Sequence, residues 1–223
     1  MNTFAKTNFR NKGAVFGIKD DDRRRHMYIV GKTGMGKSTL LRNMAVNDIS
    51  SGKGVCVVDP HGELALECLR AVPPSKTNDC IYFNPSDLDF PVGFNILESV
   101  DPSMRHLVVS GVMSVFKRQW ADSWGPRMEH YLKNAIASLL HCPNSTLLGI
   151  TKIFVDQGYQ SYVRKHIDDP ALKEFWDKEW DNKKKYWLED VIAPIQNKAG
   201  QFASTPLIRN IVGQPRSSFT FET

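Results

Sequence analysis

The stretch that most restricts how this chain can fold runs from His26 to Thr39, HMYIV followed by GKTGMGKST. Gly31 to Ser38 fits G-x-x-x-x-G-K-[ST], the P-loop pattern, and the flanks fit as well. His26–Val30 is a short apolar run that reads as a strand. Thr39–Asp48 reads as a helix with Leu40, Leu41, Met44 and Ala45 on one face. Strand, glycine turn and helix is the order that phosphate binding requires. The glycines let successive N–H groups converge on one anion, and the helix N-terminus adds the positive end of its dipole. The expected cradle for a nucleoside triphosphate is Gly31, Thr33, Gly34, Met35, Gly36, Lys37, Ser38 and Thr39. Lys37 is expected to reach the β- and γ-phosphates and the Ser38 hydroxyl to hold Mg2+.

Composition narrows the class. The 223 residues suit one large domain, or one domain carrying an insertion, with the hydrophobic and charged content of an ordinary globular protein. No apolar run reaches the ~18 residues of a membrane span, and Met1–Lys12 lacks the apolar core of a signal peptide. Cys56, Cys68, Cys80 and Cys142 are scattered without a C-x-x-C pair. They read as buried free thiols of a cytoplasmic protein rather than a zinc site or a disulfide framework.

The net charge of +5 is unevenly spread. Residues 1–40 carry nine Lys/Arg against three Asp, residues 41–100 four against eight, and residues 101–204 fourteen against twelve. The excess precedes or belongs to the P-loop, where Lys37 and Lys32 answer phosphate. Charge alone gives little support for a DNA-binding face.

Residues 1–25 read as an approach segment with a short strand at Ala14–Ile18. Asp20-Asp-Asp-Arg-Arg-Arg25 reads as a solvated turn, the sharper alternative being an arginine that faces nucleotide or a neighbouring subunit. Val55–Val58 is a second apolar strand, ending in Asp59-Pro-His-Gly-Glu63 and followed by a helix through Leu69. Cys80–Phe83 is a third strand. This alternation is α/β, with a largely parallel sheet.

From Asp101 to Ser204 only helices are legible. Asp101-Pro102 and Asp169-Pro170 place a cap before proline, and Gly125-Pro126 starts another helix. In that helix Met128, Tyr131, Leu132, Ala135, Ile136, Leu139 and Leu140 keep helical spacing. Further helices are expected over Thr146–Val155, Tyr159–Ile167, Pro170–Trp180 and Lys183–Phe202, the last kinked at Pro194. Trp120, Trp124, Trp176, Trp180 and Trp187 read as core anchors rather than stacking platforms for DNA bases. Ser218–Glu222 alternates like the start of a strand.

A P-loop needs a second acid at the end of an apolar strand, and only Val55–Asp59 has that form. Asp59 is therefore a candidate Mg2+ ligand beside Ser38. Asn197-Lys-Ala-Gly200 lacks the acid of a guanine-reading N-K-x-D, and no L-S-G-G-Q of an ABC transporter occurs.

The chain resembles the HerA/FtsK-type hexameric ATPases, and more closely the TraD/TraG-like coupling proteins of type IV secretion. The resemblance rests on the P-loop and on Val58–Glu63, with Arg23–His26, Phe94-Asn95, Trp124–Arg127 and Gly213-Gln214 in support. It implies a RecA-like core with an all-α insertion, Mg2+ and ATP bound between subunits of a hexamer, and DNA in the central channel. It implies attachment to a membrane or secretion machinery through other parts as well. Residues 1–100 would be the first part of the core, 101–204 the insertion, and 205–223 a return to a core left incomplete at the C-terminus. The Walker B strand of that family lies beyond the insertion, so the chain reads as an N-terminal fragment.

Asp59 then moves to the γ-phosphate side. Glu63 joins Lys37 and Asp59 as a candidate for the catalytic role. Arg127 resembles a trans-acting arginine, with a paired arginine at a helix start as the alternative. The function implied is an ATPase that moves single- or double-stranded DNA. The alternatives are a non-catalytic nucleotide- or DNA-binding module, and a GTPase-like switch using Asp59. Exposed sheet edges and aggregation are expected of the isolated chain.

Overall fold

The computed structural model describes residues 2–98, 100–182 and 185–220, with only the backbone of 185–189, and the chain divides into two compact units, residues 1–82 and 83–223.

The first unit opens on an antiparallel hairpin, β1 (Asn2–Lys6) and β2 (Val15–Ile18), with Asn2 opposite Ile18 and Lys6 opposite Val15. β2 falls on the strand expected over Ala14–Ile18, whereas β1 lies in the supposed approach segment. Gly17 is required by close approach, since a Cβ there would sit 2.0 Å from the Asn2 carbonyl oxygen. The charge run forms a one-turn helix, α1 (Asp20–Arg23), ahead of α2 (Lys37–Ser50) and α3 (Glu63–Arg70).

Polar contacts fasten the hairpin to the last turns of α2. The Asn2 side-chain amide donates to Asp48 Oδ1 and to the Met44 carbonyl, both at 3.0 Å. Asn47 donates to Asn2 Oδ1 at 3.1 Å and to the Thr3 carbonyl at 3.0 Å. Arg23 grips the same carboxylate with both Nη atoms, at 2.6 and 2.5 Å. The run read as a solvated turn thus keeps Asp21 and Arg24 exposed but turns Arg23 inward.

The parallel sheet expected from His26–Val30, Val55–Val58 and Cys80–Phe83 is not formed. Among the described residues the only sheet is the β1–β2 hairpin, and the three runs carry no ladder pairing. Tyr28 is 92% and Val58 88% exposed, and Cys56, expected to be buried, is exposed with them. The reason is physical. A parallel strand needs neighbours delivered by crossovers and cover on both faces, so four or five apolar residues cannot hold strand geometry alone. A helix satisfies its hydrogen bonds locally.

The second unit is helical: α4 (Arg105–Gln119), α5 (Pro126–Leu139), α6 (Gly149–Ile153), α7 (Gln157–His166), α8 (Pro170–Glu174), α9 (Lys185–Ser204) and α10 (Pro206–Val212). The α5 side chains picked out by their spacing, Met128 through Leu140, are buried, and α5 packs on α4, α6, α7, α8 and α9. Asp101 caps through the Ser103 amide at 2.8 Å, and Asp169 through the Ala171 amide at 2.7 Å. α8 continues as a π-helical turn over Phe175–Trp180, whose wider winding turns Phe175, Trp176 and Trp180 all into the core. Trp176 is 0% exposed, and its indole donates to Ser138 Oγ at 2.9 Å.

Trp120 and Trp124 pack against this core in part. The side chain of Trp187 lies outside the described residues, as do Lys183 and Lys184, where α9 was expected to start. The helix expected over Thr146–Val155 is shorter, because Thr146–Leu148 form turns before Gly149 and Asp156 already caps α7. α10 occupies part of 205–223. The described part of Ser218–Glu222 carries no strand, and 221–223 lie outside the described residues.

Phe94-Asn95 and Gly213-Gln214, far apart in sequence, meet within this unit. The Phe94 amide donates to the Ile211 carbonyl at 3.1 Å, Asn95 donates to the Pro215 and Ser145 carbonyls at 2.9 Å, and Gln214 donates to the Asn210 carbonyl at 2.7 Å. Among the described residues no helix is long and apolar enough to cross a membrane.

Candidate functional site

Two glycines shape the P-loop. Gly34 and Gly36 have φ of 80° and 83°, the left-handed region that other residues reach only at a cost. Gly36 is also the N-cap of α2, and its carbonyl accepts the Leu40 amide at 2.9 Å. The loop is tied once across itself, by the Met35 amide to the Lys32 carbonyl at 3.2 Å. Among the described residues the amides of Gly36, Lys37 and Ser38 donate to no backbone carbonyl. They form the polar mouth that the start of an α-helix leaves open.

Lys37 folds back onto the start of the loop. Its Nζ donates to the Gly31 carbonyl at 2.8 Å and to the Lys32 carbonyl at 3.0 Å. The stem passes close to Gly31, where an added Cβ would lie 3.6 Å from Lys37 Cγ. An ammonium has three donors. Two are held by the loop, and the third remains for an anion beside the open amides. Thr33, Met35, Ser38 and Thr39 are exposed around it. The donor set fits a polyphosphate, and the exposed Ser38 hydroxyl fits a single oxygen ligand to Mg2+.

Asp59 has a different placement. Its Oδ1 accepts the His61 amide at 3.0 Å, and its Oδ2 accepts the Leu64 and Ala65 amides at 2.8 and 3.2 Å. These hydrogen bonds, His61 first, hold its carboxyl below the usual carboxylate range. Asp59 therefore acts as an anionic cap on α3, across a Gly62 in the left-handed region at φ 85°. A carboxylate has about four acceptor sites, and three are taken here. Glu63, the first residue of α3, is exposed and has no carboxylate–cation pair among the described residues.

The helices behind the two loops pack together, joined by Arg42 Nε to Glu67 Oε2 at 3.1 Å. The first unit thus presents two glycine-led helix starts, one carrying a lysine and a serine, the other a carboxylate. Arg127 lies in the helical unit, exposed at the second position of α5. Among the described residues no three His, Cys, Asp or Glu side chains stand close enough to hold a metal ion.

Sequence reasoning missed the Asn2–Asn47–Asp48–Arg23 network behind the site. Its single sequence signal is an aspartate placed near the C-terminal end of α2, where an acid opposes the helix dipole and needs a cation.

No curated protein and no solved structure matches the chain. A family model described as the central domain of helicase HerA (DUF87) matches residues 18–217, from the end of β2 through the P-loop and the helices α4 to α10. With that match over most of its length and a P-loop whose lysine folds back onto the start of the loop, the chain belongs to the HerA helicase central-domain family.

Proposed function

We propose that this chain binds Mg-ATP at Gly31–Thr39 and couples its hydrolysis to movement along DNA. The observation that carries the reading is the fold-back of Lys37 onto the Gly31 and Lys32 carbonyls of a loop whose last amides have no backbone partner among the described residues, in a chain of the HerA family. The amides and Lys37 orient the β- and γ-phosphates by electrostatics, the main contribution in phosphoryl transfer. Ser38 supplies one oxygen to the metal ion. Mg2+, when bound, neutralises charge on the transferring phosphoryl group. Glu63 is the carboxylate available to orient the attacking water, and Asp59 positions it by capping the helix it begins. An arginine from a neighbouring subunit completes the site, and Arg127 is the residue for that role in a hexameric ring.

His26–Val30, Val55–Val58 and Cys80–Phe83, unpaired here, are the runs that would enter the parallel sheet of a RecA-like core once other strands flank them.

The test is Mg2+-dependent ATP binding and turnover, with and without DNA, on the chain and its Lys37→Ala form. DNA-stimulated turnover lost in the variant is the expected result. Wild-type activity in Lys37→Ala, or binding that prefers GTP, overturns the reading. The capping of three amides by Asp59 favours a second reading, nucleotide binding without turnover. A single-turnover assay with protein in excess separates the two, since any phosphate release excludes the second.

A further inference from the structure

The tip of the β1–β2 hairpin carries exposed side chains that closing the turn does not demand. The turn runs from Thr7 to Ala14 and is well tied. The Thr7 amide donates to the Ala14 carbonyl at 2.8 Å, the Ala14 amide to Thr7 Oγ1 at 3.1 Å, and the Lys12 amide to the Phe9 carbonyl at 3.2 Å. Arg10 and Asn11 sit in the left-handed region at φ of 49° and 53°, an uncommon conformation for residues with side chains. Positive φ is how a hairpin turn matches the twist of its strands, and here it brings Phe9 and Arg10 to the tip.

What is presented is a cationic aromatic surface. Phe9 is 65% exposed, and the Arg10 guanidinium carbon lies 5.1 Å from its ring centroid. Lys6, Arg10 and Lys12 are exposed, and among the described residues none of the three pairs with a carboxylate. From Asn2 to Lys19 the chain has four cations and no acid, the first being Asp20. The base of the hairpin is fastened to α2 by Asn2 and Asn47, so the tip projects from an anchored pair of strands.

We propose that this tip binds a single nucleic-acid strand, with Arg10 and Lys12 on consecutive phosphates and Phe9 stacked beneath a base. The proposal rests on the reading of the chain as a protein that works on DNA, and it supplies a contact surface for that partner. Cations alone would bind any polyanion. The exposed ring favours nucleic acid, because every base offers a face to stack and a simple polyacid such as polyglutamate offers none. The arginine already over Phe9 leaves the opposite ring face for a base and adds a cation–π contact on its own side.

The experiment is fluorescence anisotropy of the full chain with a labelled 20-nucleotide oligothymidylate, a duplex of equal length and labelled polyglutamate, across a salt series. The variants are Phe9→Ala, Phe9→Trp and the pair Arg10→Gln with Lys12→Gln. All replace exposed side chains, and thermal melting and Mg-ATP binding confirm that each variant is folded.

The paired variant is expected to flatten the slope of log K against log salt by about 1.4, two single-strand phosphate contacts at roughly 0.7 each. Phe9→Ala is expected to weaken oligothymidylate about tenfold at unchanged slope, Phe9→Trp to restore it, and neither to affect polyglutamate. Wild-type affinity and slope in all three variants overturn the proposal, and so does an equal Phe9→Ala loss toward polyglutamate, which identifies an acidic protein surface instead. If DNA still stimulates turnover while these variants bind normally, the prong assignment falls and the translocase reading stands. If the wild-type chain neither binds oligothymidylate nor responds to DNA, the translocase reading falls and takes the prong with it.

Discussion

The two units of this molecule bury different chemistry. In the helical unit the connected apolar cluster runs from Leu97 to Ala199, with Trp176, Tyr131 and Phe116 at its centre. In residues 2–82 the one buried apolar side chain among the described residues is Cys68, while the buried Asn2 and Asp48 are polar. Both units contain ample apolar sequence. They differ in the period at which it is written. Residues spaced by three and four share one face of a helix that the chain builds locally. Apolar runs of four or five, such as Val55–Val58, have nowhere to go until other strands flank them. The helical unit is therefore held by non-directional packing, and the P-loop unit by directional hydrogen bonds.

That contrast predicts different weak points. The largest effect belongs to Trp176→Ala, which removes a fully buried indole and is expected to cost about 3–5 kcal/mol. Tyr28→Ser, in the P-loop unit, is expected to stay within about 0.5 kcal/mol. Urea denaturation of both variants checks this, and equal losses would break the comparison.

Next in size is Asp48→Ala, expected to cost about 2–3 kcal/mol because it strands the half-buried Arg23 and the Asn2 amide. Hydrogen exchange reads it out, with β1 and β2 losing protection while α5 keeps it. The same network sets a pH dependence. The hydrogen bond from Arg23, above all, holds the Asp48 carboxyl below its ordinary value of 3.8. A carboxylate with a lowered folded-state pKa contributes its full stability above the unfolded value. The contribution falls away as pH drops from about 4 through the lowered pKa, so the hairpin is expected to detach in acid before the helical unit melts.

The smallest perturbation is a thiol probe. Cys56 is exposed and should react at once in the native protein. Cys68, whose thiol is pushed up by burial, and Cys142, buried in the helical unit, should wait for unfolding. Fast labelling of Cys142 with slow labelling of Cys56 would reverse that order of burial. A monomer that melts reversibly and cooperatively would also count against it, since the exposed Tyr28, Val30 and Val58 favour association.

The helical unit was largely legible in the sequence. Its evidence is local: Met128 to Leu140 keep one face, and Asp101-Pro102 and Asp169-Pro170 mark helix starts, each within a dozen residues. The P-loop was legible for the same reason, since Gly34, Gly36 and Lys37 act within one turn of chain. The capping role of Asp59 was not, because an apolar run ending in aspartate fits a metal-ligand strand end as well as a helix cap, and only the amides of His61, Leu64 and Ala65 decide. Nor was the hairpin anchor, since Asn2 and Asp48 meet across 46 residues. The parallel sheet was read from period and alternation. Those show which runs suit a strand, but not whether partners come alongside.

α2 begins at the phosphate mouth and ends where Asn47 and Asp48 hold the hairpin. Its 14 residues span about 21 Å at 1.5 Å per residue. A helix of that length is stiff, so its two ends cannot move independently. A tilt of about 5° at the loop displaces the far end by roughly 2 Å over that length. The hairpin, fastened there by four hydrogen bonds from Asn2 and Asn47, is carried along. The proposed nucleotide at the lysine end and the proposed prong at the aspartate end would therefore share one stiff element.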